Sequence, residues 1–186
     1  MEVKKTHYYN GNTKEERYYE NDMLHRLDGP AYILYYENGN IYEEKYYEND
    51  KMHRLDGPAI VSYFRDEKIY FELYYRNGSQ HREDGPADIE YYGDGNVRYE
   101  KYYQYNKRHR LDGPAMIYYY QNGNIQREKY YRNGICHRLD GPAVILYNED
   151  GSIKKEQYYI DGIEYEEFEY YVKVGYLSES TENTLW

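Results

Sequence analysis

Phenylalanine, tryptophan and cysteine are nearly missing from this chain, at three, one and one among 186 residues. A single cysteine, Cys136, excludes an internal disulfide and points to a reducing, cytoplasmic setting. Positive charge is also short. Lys and Arg number 24 against 34 Asp and Glu, for a net charge of −10. That opposes nucleic-acid binding and attachment to an anionic membrane surface, both of which need basic side chains. No apolar run approaches the ~18 residues of a spanning helix, so no integral membrane segment is expected. The start, Met1-Glu2-Val3-Lys4-Lys5-Thr6, leads into no apolar segment and does not read as a secretory signal. The chain lacks a Walker-type phosphate loop, a GxSxG elbow and paired CxxC motifs. Cys136 next to His137 is weak evidence for a nucleophile, because its slot holds Leu24, Met52, Gln80 and Arg108 elsewhere.

Tyrosine is what the chain has in excess, at 32 residues. Its ring favours strands and buries a large apolar body with one polar tip. A second feature organises the rest. His25-Arg26-Leu27-Asp28-Gly29-Pro30-Ala31 returns at His53, His81, His109 and His137, always 28 residues on, and its only change is Glu83 for Leu. Six units follow: 3–30, 31–58, 59–86, 87–114, 115–142 and 143–170. The sixth loses the heptad, and 171–186 form a cap and tail within one repeat domain. A unit this short buries too few apolar side chains to offset the entropy of ordering its backbone, so units must stack on neighbours.

Each unit reads as two strands. In the second, Ala31 to Tyr36 alternates, Glu37-Asn38-Gly39-Asn40 turns, and Ile41 to Tyr47 runs back. Asn-Gly between such runs signals a hairpin with both turn residues at positive φ. Asp66-Glu67 in the third unit predicts a looser turn. Another turn follows each hairpin, as at Asn77-Gly78, Asn133-Gly134 and Asp161-Gly162, and Asp-Gly-Pro then closes the unit on a Gly that tolerates strained backbone.

Alternation places Ala31, Ile33 and Tyr35 on one buried face, with equivalents such as Ala59, Val61 and Tyr63. The other side varies: Tyr32, Ile60, Asp88, Met116, Val144. Ile41, Ile69, Val97, Ile125 and Ile153 read as apolar anchors of the second strand. The segment 164–174 reads as a capping helix or a last strand, and 178–184 as a frayed tail. The fold expected is all-β: an elongated, twisted antiparallel meander of about twelve principal strands.

A Tyr-Tyr-x-Asn-Gly hairpin followed by Asn-Gly-x-x-His-Arg-x-Asp-Gly-Pro-Ala resembles the variant MORN-type repeat over residues 3 to about 170. Such repeats occur in uncharacterised giant DNA virus proteins and in bacterial proteins, antitoxin-like ones included. The resemblance implies an antiparallel β-meander used as a scaffold for protein contact, in host cytoplasm or a virion if the source is viral.

The polar columns read as an internal ladder. Glu16, Glu44, Glu72, Glu100, Glu128 and Glu156 recur in every unit. Their expected counter-charge is Arg26, Arg54, Arg82, Arg110 and Arg138, with His25, His53, His81, His109 and His137 beside them. Asp28, Asp56, Asp84, Asp112 and Asp140 are expected to bind backbone N–H groups of the Gly-Pro turn. A row of metal or acid–base sites is the rival reading, but catalysis rarely needs five identical sites and a metal wants ligands converging on one point. No catalytic, cofactor or metal site is therefore expected. Tyr36, Phe64, Tyr92 and Tyr120, with Tyr42 and Tyr70, form the candidate interaction surface. The leading functional reading is a non-catalytic scaffold that binds a protein or another copy of itself. Two alternatives stay open: a carbohydrate-binding or virion-surface module using the tyrosine columns, and an antitoxin-like protein that neutralises a partner.

Overall fold

The computed structural model describes residues 1–177. The tail expected at 178–184 lies outside them. The chain divides into two compact units, Met1–Lys107 and Arg108 onward, and both are all-β antiparallel meanders.

In the first unit the principal strands are β1 (Glu2–His7), β2 (Thr13–Glu20), β3 (Tyr32–Tyr35), β4 (Ile41–Lys45), β5 (Ile60–Tyr63), β6 (Ile69–Leu73), β7 (Asp88–Tyr91) and β8 (Val97–Lys101). Each pairs with the next in chain order. In the second, β9 (Met116–Tyr119), β10 (Ile125–Lys129), β11 (Val144–Tyr147), β12 (Ile153–Ile160) and β13 (Ile163–Tyr165) do the same. The single helix among the described residues, α1 (Glu167–Lys173), follows β13. The segment read as a helix or a strand supplies both.

The two turns of each unit differ in kind. Between β3 and β4, Tyr36 O accepts the Gly39 N–H at 3.0 Å and the Tyr36 N–H donates to Asn40 O at 2.8 Å. Only Gly39 has positive φ there, at 94°, and the register slips between Leu34 and Tyr35. This is a type I turn closed by a bulge, not the expected pair of positive-φ residues. The true two-residue turns come second. Asn49-Asp50 (φ 49° and 61°) and Asn77-Gly78 (48° and 79°) are type I′, joining short ladders such as Tyr47–Glu48 with Lys51–Met52. The looser turn expected at Asp66-Glu67 is not found. Glu67 adopts φ 66° in the glycine slot, and its N–H still reaches Phe64 O at 3.0 Å.

The alanine of every heptad is fully buried, and Ile33, Val61, Ile89, Ile117 and Ile145 are buried beside them. The opposite side is also covered: Ile60, Asp88, Met116 and Val144 are buried too. On that face Lys101 pairs with Asp88 at 3.0 Å and Ser62 Oγ donates to Glu43 at 3.1 Å, so buried polar groups are satisfied. The second-strand anchors are shallower than expected. Ile69 is 37% exposed and Ile153 57%, because the bulge sets them next to the turn at the rim of the sheet.

Candidate functional site: the heptad loops

The heptad loop is built around its arginine. The Arg54 guanidinium lies 4.0 Å over the Tyr46 ring, and Arg26, Arg82 and Arg138 sit likewise over Tyr18, Tyr74 and Tyr130. Arg54 Nε donates to Asp56 at 2.9 Å and Nη1 to Pro58 O at 3.4 Å. The other arginines, Arg110 included, repeat both bonds. The Gly of Asp-Gly-Pro packs against the same guanidinium. A Cβ added to Gly57 would stand 3.1 Å from Arg54 Cζ, and one on Gly29 3.0 Å from Arg26 Cζ. Glycine is needed there for space; Gly29, Gly57, Gly85 and Gly113 do not have positive φ, which corrects the strained backbone expected of them.

Arginine therefore bonds chiefly within its own loop and reaches the glutamate column through its charge, as Arg26 does at Glu16 and Arg138 at Glu128. The glutamates other than the exposed Glu156 lie on the buried face between the apolar residues: Glu16 and Glu44 both pair with Ile33, Glu44 and Glu72 with Val61, and Glu72 and Glu100 with Ile89. Glu44, Glu72 and Glu128 accept from phenols. Tyr63 donates to Glu44 at 2.8 Å, Tyr91 to Glu72 at 2.9 Å and Tyr147 to Glu128 at 2.7 Å. Burial, then the bond to Glu44, raises the Tyr63 hydroxyl's pKa. Burial pushes Glu16 up, but bonds from Lys5 and Tyr18 outweigh it and hold its carboxyl below the usual range. Glu156 pairs with Ile145, as Glu128 does.

The aspartates are exposed, from 76% for Asp140 to 84% for Asp84. They accept first from arginine side chains, and of the expected backbone bonds keep a weaker one from each aspartate's own N–H. The bond from arginine holds their carboxyls low. The histidines join consecutive units. The Nδ1 of His25, His53, His109 and His137 accepts a backbone N–H from Asn49, Asn77, Asn133 and Asp161 of the next type I′ turn, at 3.0–3.2 Å. His81 instead stacks on Tyr105, with centroids 4.2 Å apart.

The candidate aromatic surface is largely structural. The Tyr36 hydroxyl donates to Tyr63 O at 2.8 Å and Tyr120 to Tyr147 O at 2.9 Å. Tyr36 packs on Tyr42 at 5.1 Å and Phe64 on Tyr70 at 4.9 Å. Arg98 lies over Tyr92 at 5.9 Å. All six residues are half-buried.

What projects is the third heptad residue, which the sequence reading passed over. Leu27, Leu55, Leu111 and Leu139 are 81%, 66%, 74% and 48% exposed. The signal was available: leucine recurs inside a polar turn that has no use for it. Between consecutive loops lie clefts of about 420 Å³, one bounded by Leu27, Asp28, Glu48, His53, Leu55 and Asp56. Their equivalents lie between the Arg54 and Arg82 loops and between the Arg110 and Arg138 loops.

Among the described residues no group of three His, Cys, Asp or Glu side chains could hold a metal. No helix there is long and apolar enough to cross a membrane. No protein-family model matches the chain, and no curated protein matches it either.

Proposed function

We propose that this protein is a non-catalytic β-repeat scaffold that binds a protein partner through its heptad loops. One observation carries the reading. The loops of Arg26, Arg54 and Arg138 are fixed by their Arg–Tyr stacks and Asp and Pro bonds, yet hold Leu27, Leu55 and Leu139 out to solvent where nothing in the loop uses them. Repetition of such side chains on a rigid frame suits protein contact. The role also fits what the resemblance to variant MORN-type repeats implies. The net charge of −10 argues for a basic partner and against nucleic acid. The lone, half-buried Cys136 suits a reducing cytoplasm. The tyrosine columns serve a sugar less well, since the Tyr36 and Tyr120 hydroxyls are committed to backbone carbonyls.

The test is affinity capture from the native source, with Leu27→Asp, Leu55→Asp, Leu111→Asp and Leu139→Asp combined in one comparison variant. A stoichiometric protein held by the wild type and lost by an equally stable variant is the expected result. Equal retention by both would refute the assignment to the loops.

A further inference from the structure

We infer that the heptad loops of the first unit take a basic peptide in the polyproline II conformation, with a Lys or Arg at every third residue. This deepens the proposed function and rests on it. Three observations converge.

The first is spacing. Each 28-residue unit adds two strands, so at the ordinary strand separation equivalent loop residues are expected about every 9.6 Å. A polyproline II helix repeats every three residues at a rise of about 3.1 Å, or about 9.3 Å. Over the two steps from Asp28 to Asp84 the mismatch accumulates to only about 0.6 Å. An ordinary β-strand would not serve, because its residues i and i+3 point to opposite faces.

The second is charge. Asp28, Asp56 and Asp84 are 77%, 83% and 84% exposed, whereas the arginines that pair with them are largely covered by the tyrosine rings and the loop. The face offered to a ligand is acidic. Glu83, in the slot that holds leucine elsewhere, adds a carboxylate to the third loop. Arg54 and Arg82 also line the second cleft but are only 26% and 25% exposed, which leaves Arg76 as its exposed opposing charge.

The third is the lining. Tyr46 and Tyr47 line the first cleft and Tyr74 the second, and exposed Leu27 and Leu55 flank them. Aromatic and apolar walls are what proline rings pack against in recognition of this conformation. The ligand that fits has proline or another apolar residue at the two positions between its basic ones. Such a peptide is already extended when free, so it loses little entropy on docking.

The experiment is fluorescence anisotropy on the full chain, using labelled peptides of repeating Pro-Pro-Lys and Pro-Pro-Glu. A third peptide has the Pro-Pro-Lys composition with its lysines grouped at one end. The periodic basic peptide should bind, the grouped one about tenfold or more weakly, and the acidic one not at all. Asp56→Lys and, separately, Leu55→Asn should each cost about tenfold, in variants that melt as the wild type does. Equal affinity for periodic and grouped lysines would show bulk charge attraction and overturn the inference. So would absence of binding by every peptide. If the peptides fail while the four-leucine variant still loses its captured partner, only this inference falls. If that variant keeps the partner, the proposed function falls with it.

Discussion

The Arg54 guanidinium stacks 4.0 Å over the Tyr46 ring while its Nε holds Asp56 at 2.9 Å. One side chain thus ties the second strand of a unit to the loop that ends it. Arg54→Ala removes the stack and both loop bonds together, and should destabilise by about 2 kcal/mol. Arg54→Lys keeps the charge but loses the planar fork, so it should recover less than half of that. Denaturant melts of the two variants check this. Equal stability of the lysine variant and the wild type would mean charge alone holds the loop.

Gly57→Ala should cost about 1–2 kcal/mol, because the new Cβ would meet Arg54 Cζ at 3.1 Å. The guanidinium has little room to retreat, since Tyr46 lies against it. In an Arg54→Ala background the same substitution should cost much less. A double-mutant cycle reads the difference directly, and additivity within about 0.5 kcal/mol would exclude the contact as the cause.

The units, the hairpins and the Ala-x-Ile face were legible because the alternation repeats in every unit. The partner of arginine was not. Glu44, Asp56 and their equivalents recur with the same period as Arg54, so recurrence cannot choose between them. The choice is steric: Asp56 is two residues away in the same loop, while Tyr63 already reaches Glu44 from the neighbouring strand. Turn type failed for a related reason. Asn38-Gly39 reads as a two-residue turn, but the ladder ends earlier and leaves a longer connection with a bulge. The buried second face was hidden because its positions vary among Tyr32, Ile60, Asp88, Met116 and Val144, and buried Asp88 is paired with Lys101 across the ladder.

Glu67 holds φ 66° where the equivalent residues are Gly39, Gly95, Gly123 and Gly151. A side chain in this region costs roughly 1 kcal/mol that glycine avoids. Glu67→Gly should therefore stabilise the chain by up to about 1 kcal/mol, seen as a higher melting temperature. The gain is partly offset by the freer unfolded chain. A lower melting temperature would mean that the Glu67 side chain contributes a contact worth more than the strain.

High pH should unfold this protein steeply. Burial and then bonding to glutamate raise Tyr63, Tyr91 and Tyr147 above the ordinary tyrosine value, and bonding to Glu164 lifts Tyr159 to about 12. A raised pKa means that the folded state keeps protons the unfolded state has lost. Their contribution is complete below pH 10, the ordinary value, and declines as pH rises from there through the folded values. Tyrosine absorbance followed through an alkaline titration should show a delayed fraction that ionises together with loss of the β circular-dichroism signal. Ionisation of all tyrosines near the ordinary value with the fold intact would contradict these phenol–carboxylate bonds.

Tyr170 should be the residue on which the C-terminal end depends. The sixth unit has Glu166 where an arginine would stand, and the Tyr158 ring is met by Tyr170 instead, with centroids 4.9 Å apart. Fully buried, Tyr170 donates its hydroxyl proton to Arg138 O at 3.1 Å and accepts the Gly141 N–H at 3.0 Å. It therefore closes the last complete heptad loop from α1. Tyr170→Phe keeps the ring but leaves that buried N–H without its acceptor, at a cost of about 1–3 kcal/mol. Tyr170→Ala also opens a cavity and should cost about 3–5 kcal/mol. Hydrogen exchange separates local from global effects: protection should fall first at Gly141 and along β12, while β1 to β4 keep theirs, since repeat arrays lose structure from a weakened end. Uniform loss of protection along the chain in the Phe variant would show that Tyr170 is no end cap, and that the array unfolds as one cooperative block.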